Sequence, residues 1–126
     1  MDKEQALHQF WSQFKVDGKS IPAYDQSTVP DDASFPRITY EVITDNFGVQ
    51  NVLTASIWDR SKSWQGVTDI LHEVEEQLGR GGQTLHCRGG VVWIYRGMPF
   101  AQRMEDTDDS IRRIVINIEV EFITEV

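Results

Sequence analysis

SIRRIVINIEVEFIT, residues 110–124, decides how the chain is read. Ile114, Ile116, Ile118, Val120 and Phe122 take alternate positions, and Arg113, Asn117, Glu119 and Glu121 fill most of the places between, with Val115 the exception. Side chains two apart share a face of an extended backbone, so this period marks a half-buried strand, whereas a helix would scatter the five apolar groups around its axis. At ~3.4 Å per residue the stretch would reach about 50 Å, well beyond an ordinary strand. The length predicts a strand that outruns its sheet partners. Its second half belongs to the core, and its first half, with Arg112 and Arg113, projects as an arm or pairs with another subunit.

Just upstream lies an acidic loop, Glu105, Asp106, Asp108 and Asp109, and before it residues 97–104 read as a further loop. Residues 84–87 and 91–96 flank Arg88-Gly89-Gly90, a hairpin with a glycine turn. Trp64, Val67, Ile70, Leu71, Val74 and Leu78 recur at helical spacing; Ser61 or Ser63 is the expected cap, and Gly79 with Gly81-Gly82 the expected stop. Strands over 37–44 and 51–59 form a hairpin about Asp45-Asn46-Phe47-Gly48, with Val52, Thr54, Ser56 and Trp58 on one face and Leu53, Ala55 and Ile57 on the other. Residues 16–36 carry Gly18, Pro22, Pro30 and Pro36 and read as irregular, yet Ile21, Tyr24, Val29 and Phe35 make them too apolar for a flexible linker. Leu7, Phe10, Trp11 and Phe14 put one apolar stripe on a helix over 2–14, ended by Gly18. The order α-β-β-α-β-β-β predicts an α+β fold, one antiparallel sheet with both helices packed against it, in a single domain over 1–126.

The totals narrow the function. A formal net charge of −8 disfavours holding nucleic acid by phosphate neutralisation, which needs clustered Lys and Arg. No apolar run approaches the ~20 residues that span a bilayer, which predicts no membrane partner. The N-terminal MDKEQALHQFWSQF lacks the basic start and apolar block of a secretory signal, so an intracellular site of synthesis is expected.

Candidate chemistry is thin. The histidines are His8, His72 and His86, and the one cysteine is Cys87; there is no HxxxH or CxxC pair, and neighbours on a strand point to opposite faces, so His86 and Cys87 would not converge on one ion. His72 reads as a helix-surface residue and Cys87 as a small buried filler. No GxSxG elbow is present, and Gly79-Arg80-Gly81-Gly82 follows a helix where a phosphate cradle precedes one. The acidic loop does not fit the twelve-residue calcium loop. These readings predict no enzyme, no cofactor and no metal. Arg96, Met98, Phe100, Arg103 and Met104 gather arginine and apolar groups in one segment, a common composition for protein–protein contact, and Arg112, Arg113, Tyr24 and Phe35 join them as candidate interface residues. The competing expectation is a ligand pocket between sheet and helices lined by Trp58, Trp93, Tyr95 and His86.

LHQFWSQF, IPAYDQSTVPDDASFPRITYEV, LTASIWDRSKSW, GGVVWIYRGMPFAQRM and RRIVINIEVEF together resemble small tail proteins of siphophages and prophages of Gram-positive bacteria, over nearly the whole chain. The element order is similar to that of the tail terminator (tail completion, head-to-tail joining) proteins. The resemblance implies a virion protein made in the host cytoplasm, a ring of copies, typically a hexamer. Such a ring caps the tube of the major tail protein and meets the head–tail connector. DNA would pass through its lumen without specific binding, and the acidic loop 105–109 would line that lumen, since negative walls repel phosphates. Another neck, minor tail or head-completion protein is the neighbouring reading.

Overall fold

The computed structural model of the chain describes residues 1–42 and 50–124. The turn at 45–48 and the far end of the strand expected over 37–44 lie outside them. Asp2 starts the first helix, α1 (Lys3–Trp11): its carboxylate accepts the Gln5 N–H at 2.8 Å and the Gln5 side chain accepts the Asp2 N–H at 2.9 Å. This reciprocal cap satisfies two donors that a helix start leaves unpaired. The helix ends at Ser12, short of residue 14, although Phe14 is still buried.

Gly18 does not stop that helix. Asp17 and Gly18, with φ of 53° and 78°, turn a small hairpin between β1 (Lys15–Val16) and β2 (Lys19–Ser20). Two successive residues at positive φ give the turn whose twist matches paired strands. The stretch 16–36 is therefore only partly irregular. It also contains β3 (Ala23–Asp25), which pairs in parallel with β4 (Arg37–Tyr40), the connection across 26–36 returning the chain to the starting end.

β5 (Gln50–Arg60) pairs antiparallel with β4 and leads to α2 (Gln65–Leu78). No side chain caps α2: Trp64 holds the cap position, while the Ser63 hydroxyl accepts the Gln65 N–H at 3.1 Å one residue earlier. Gly79, at φ 60°, ends the helix. β6 (Gln83–Cys87), β7 (Gly90–Met104) and β8 (Ile111–Thr124) complete a sheet of order β3-β4-β5-β8-β7-β6. The architecture is α+β, but the sheet is mixed where wholly antiparallel pairing was expected, and the short β1, β2 and β3 are additional to the expected order.

β8 does not outrun its partners. β5 pairs with it from Gln50↔Glu121 to Arg60↔Ile111, and β7 from Gly90↔Thr124 to Arg96↔Ile118 and again from Ala101↔Ile116 to Met104↔Arg113. Its first half is thus paired with β5 throughout and with β7 from Arg113 onward, and is no free arm. β7 is 15 residues long against 14 for β8, because the segment 97–104, expected to be loop, resumes the ladder after a bulge.

The apolar face of β8 is the floor of the core. Ile114, Ile116, Ile118, Val120 and Phe122 are buried with Leu53, Ala55 and Ile57 of β5, Val92 and Ile94 of β7, and Ile38 and Tyr40 of β4. Leu7, Phe10 and Trp11 of α1 and Val67, Ile70, Val74 and Leu78 of α2 close it from one side. Each such side chain contributes roughly 1.5–3 kcal/mol when it leaves water. Phe10 meets Trp11 edge-on at 5.0 Å, and Trp11 stacks on Tyr40 at 6.4 Å.

Candidate functional site

The alternation that fills the core sends the other half of each strand to a face that neither helix covers. On it lie Val52, Thr54, Ser56 and Trp58 of β5, opposite Glu119, Asn117, Val115 and Arg113 of β8, with Trp93 and Tyr95 of β7 beyond Glu121 and Glu119. Charge is segregated along this face. At one end the Arg113 guanidinium sits 4.4 Å from the Trp58 ring centre and its Nε donates to Ser56 Oγ at 3.1 Å, while Trp58 Nε1 donates to Thr39 Oγ1 at 2.9 Å. At the other end Trp93 and Tyr95 lie 4.3 Å apart next to Glu119 and Glu121. Removal from water, then the two carboxylates, push the Tyr95 hydroxyl above its ordinary value.

This placement corrects the pocket expectation. Trp58, Trp93 and Tyr95 lie on the open face, away from the packed core between sheet and helices, whereas His86 borders a separate cleft of about 430 Å³ at the sheet's edge, between α1 and β6. The parity of the strands decides it: residues 52, 54, 56 and 58 share one face, and the buried 53, 55 and 57 hold the other.

The β7 edge carries the segment 96–104. Between Arg96↔Ile118 and Ala101↔Ile116, residues 97–100 oppose Asn117 alone. Pro99 has no N–H for the ladder, and Gly97 lies so close to its neighbour strand that a Cβ there would come within 2.9 Å of the Asn117 carbonyl oxygen. The Asn117 side chain then fastens the bulge, its Nδ2 donating to the Pro99 carbonyl at 2.8 Å. Met98 is left 96% exposed at the crest. Phe100 turns back onto the core beneath Arg96, whose guanidinium lies 5.1 Å from the ring and donates to the Glu75 carbonyl at 3.2 Å. Arg103 covers the Trp64 ring at 4.7 Å, and Met104 is exposed.

The acidic loop is built, not loose. Asp108 accepts the Ser110 N–H at 2.9 Å and its hydroxyl at 2.7 Å and meets Arg60 at 3.5 Å; these contacts, the Ser110 bonds first, hold its carboxyl below the usual range. Asp106 accepts the Asp108 N–H at 3.0 Å. Arg112 donates to the carbonyls of Asp109 at 2.7 Å and Lys62 at 2.9 Å. Glu105 and Asp109 are exposed. Arg112 and Arg113 are therefore engaged within the chain, Arg112 with the loop and Arg113 with β5.

Beyond β4 lies a cleft of about 320 Å³ between the β1–β2 hairpin, residues 34–36 and the first turns of α2. Ile21, Pro22, Phe35, Pro36 and Ile70 make its walls apolar, and Asp17 and Lys19 stand at its rim. The Phe35 ring also carries the guanidinium groups of Arg37 and Arg60, at 4.2 and 5.0 Å. Tyr24 is half-buried on β3, opposite Thr39. Sequence reasoning singled out Phe35 but not the cleft, because its walls come from three segments that are remote along the chain.

Two further groupings are chemical in type. His8 Nδ1 is hydrogen-bonded to the Tyr40 hydroxyl, and its Nε2 meets Ser12 Oγ at 3.3 Å; burial, then Asp25 and Glu4, raise the Tyr40 hydroxyl above its ordinary value. Cys87 packs partly into the core with its Sγ 3.6 Å from the Gly90 carbonyl, on the face opposite His86. Among the described residues no three His, Cys, Asp or Glu side chains form a group that holds a metal ion, and no helix is long and apolar enough to cross a membrane.

No protein-family model matches the chain, and no curated protein matches it. Among solved structures, a chain from the virion of a native gene transfer agent particle superposes with a TM-score of 0.68, at 14% identity, over 94% of this chain and 92% of that one. At that identity the likeness is one of fold.

Proposed function

We propose that this chain is a structural protein of a phage or prophage virion. In the finer reading it is a tail terminator, made in the host cytoplasm, whose copies close into a ring, six-membered by the family resemblance, on the tail tube and then meet the head connector. The observation that carries this reading is the correspondence of fold, over nearly the full length of both chains, with a component of a gene transfer agent virion. The sequence resemblance to tail proteins points the same way. The role is one of assembly, without catalysis and without a cofactor or metal.

A ring interface joins two different patches of each subunit. The β7 edge, with Arg96, Met98, Arg103 and Met104, supplies one; the opposite edge, with Tyr24 and Phe35, supplies the other. Arg112 and Arg113 serve assembly by fixing the acidic loop and the end of β5. Glu105, Asp106, Asp108 and Asp109 face the lumen and let DNA slide past without binding. Light scattering over a concentration series, and electron microscopy of the chain mixed with tail-tube protein, test the proposal. Rings, or caps on tube ends, are the expected outcome; a chain that stays monomeric and leaves tube ends bare overturns it.

A further inference from the structure

The open face of the sheet carries its charge in an order that is its own complement. Arg113 stands at one end of β8 and Glu119 and Glu121 at the other, all half-buried, with Asn117 midway between Arg113 and Glu121. Arg37 of β4 joins the basic end, across Trp58 in the same row. The cross-strand neighbours of Glu119 are Val52 and Tyr95, and those of Glu121 are Gln50 and Trp93, none of them basic. These charges are unspent. Arg113 lies on an indole and donates to a hydroxyl, and among the described residues the salt bridge is that of Arg60 with Asp108, which includes neither Arg113 nor Glu119 nor Glu121. The remaining acid of this row of strands, Glu41, turns its carboxylate into the ladder, onto the Thr54 N–H at 3.2 Å. Half-burying an ion without a counter-ion is unfavourable, and a partner of opposite sign offsets that cost.

We propose that this face docks on the same face of a second copy of the chain, turned end for end about Asn117, so that each Arg113 meets the other copy's Glu121. The order of the charges selects this occupant. A partner of one sign would meet like charge at one end of the face, and a copy set in the same direction would put like on like at both. A copy turned end for end meets unlike charge at both ends, and each contact is made twice, as a two-fold interface requires. The middle of the face permits close approach: Thr54 lies opposite Asn117 at the axis, and Val52, 59% exposed, comes over Ser56 of the other copy. Over the eleven residues of β5, the strands β5, β8 and β7 cover roughly 36 Å by 14 Å, about 500 Å². That is below the ~800 Å² per partner of a standard interface, so the pair is weak and forms as concentration rises. It leaves free the sheet edges that the ring reading uses, and stands independently of that reading.

The test is charge reversal at each end, read by light scattering and sedimentation over a concentration series. The natural chain should dimerise. Arg113→Glu alone, or Glu121→Arg alone, should raise the concentration for half-association by roughly tenfold or more. Mixing those two chains should restore association, because one then carries acid at both ends and the other base at both ends. The chain with both reversals should again pair with itself. Arg113→Glu also uncovers Trp58, and the mixture separates that effect from lost pairing, since a misfolded chain is not rescued by a partner. A natural chain that stays monomeric, single variants that associate as well as it does, or a mixture no better than its components overturns the face-to-face pair. Caps on tube ends made by such a chain leave the ring standing. Dimers that obey the charge swap beside bare tube ends keep the pair and overturn the ring.

Discussion

The two faces of the sheet are made by alternate residues of the same strands, yet they obey different rules. On the helix side, every position of β8 from Ile114 to Phe122 is apolar and buried. On the other, Arg113, Val115, Asn117, Glu119 and Glu121 are each only half-buried, in a row that runs from basic to acidic. The first face is interchangeable with many cores, since it needs only apolar groups of the right volume. The second holds Val52 at 59% exposure, the tilted ring pair of Trp93 and Tyr95, and unlike charges kept at opposite ends, none of which the fold requires. One strand thus fills the core with one parity and builds a charge-graded surface with the other.

Ile118→Ala should separate the faces most sharply. It leaves a cavity under both helices and should cost about 2–5 kcal/mol in urea unfolding; a loss below ~1 kcal/mol would mean that the helix-covered face is looser than it is drawn. Arg113→Ala, one strand end away on the open face, removes one hydrogen bond and the cover over Trp58 and should cost about 1 kcal/mol, leaving a folded monomer. If it unfolded the chain, the open face would be part of the core after all.

The smallest effect is a titration. Tyr40 and Tyr95 should both ionise above the ordinary value of 10.0. The native fold favours their neutral form, so the stability they contribute is complete below about pH 10 and is lost as pH rises through the folded-state values. Glu119→Gln with Glu121→Gln should lower Tyr95 only part of the way, since removal from water is its leading cause, and should leave Tyr40 unmoved. Absorbance of the ionised phenols, assigned with single Phe substitutions, reads this. An equal shift at both tyrosines would show that the two faces are electrostatically joined.

Much of the helix-covered face was legible in sequence because burial imposes a period. The alternation of β8, the two faces of β5 and the stripe of α2 all appear where the spacing put them. What escaped lacked a period. β3 is three residues between Pro22 and the turn at 25–28, too short to alternate, and its parallel pairing depends on where a distant strand lies. Asp17-Gly18 is hairpin chemistry, but its flanking strands of two residues each are too short to show a period, so by sequence Gly18 reads as a helix stop. Gly97 and Pro99 punctuate β7 as they would a loop, and nothing local announces that the ladder resumes at Ala101. Composition singles out Arg96, Met98, Arg103 and Met104, which the fold leaves exposed, whereas Phe100 packs inward and the cleft is assembled only by the fold.

The bulge in β7 also shapes the outer edge of the sheet. β6 covers β7 only from Gly90 to Ile94, so the outer rim beyond would offer a long run of unpaired N–H and C=O groups, the usual template for runaway stacking into fibres. Pro99 and the four-residue bulge cut that rim, leaving Ala101–Met104 as the resumed ladder, guarded by Arg103. The kink that displays Met98 thus also interrupts the edge against strand-to-strand stacking, and straightening the rim by deleting part of 97–100 should promote precipitation.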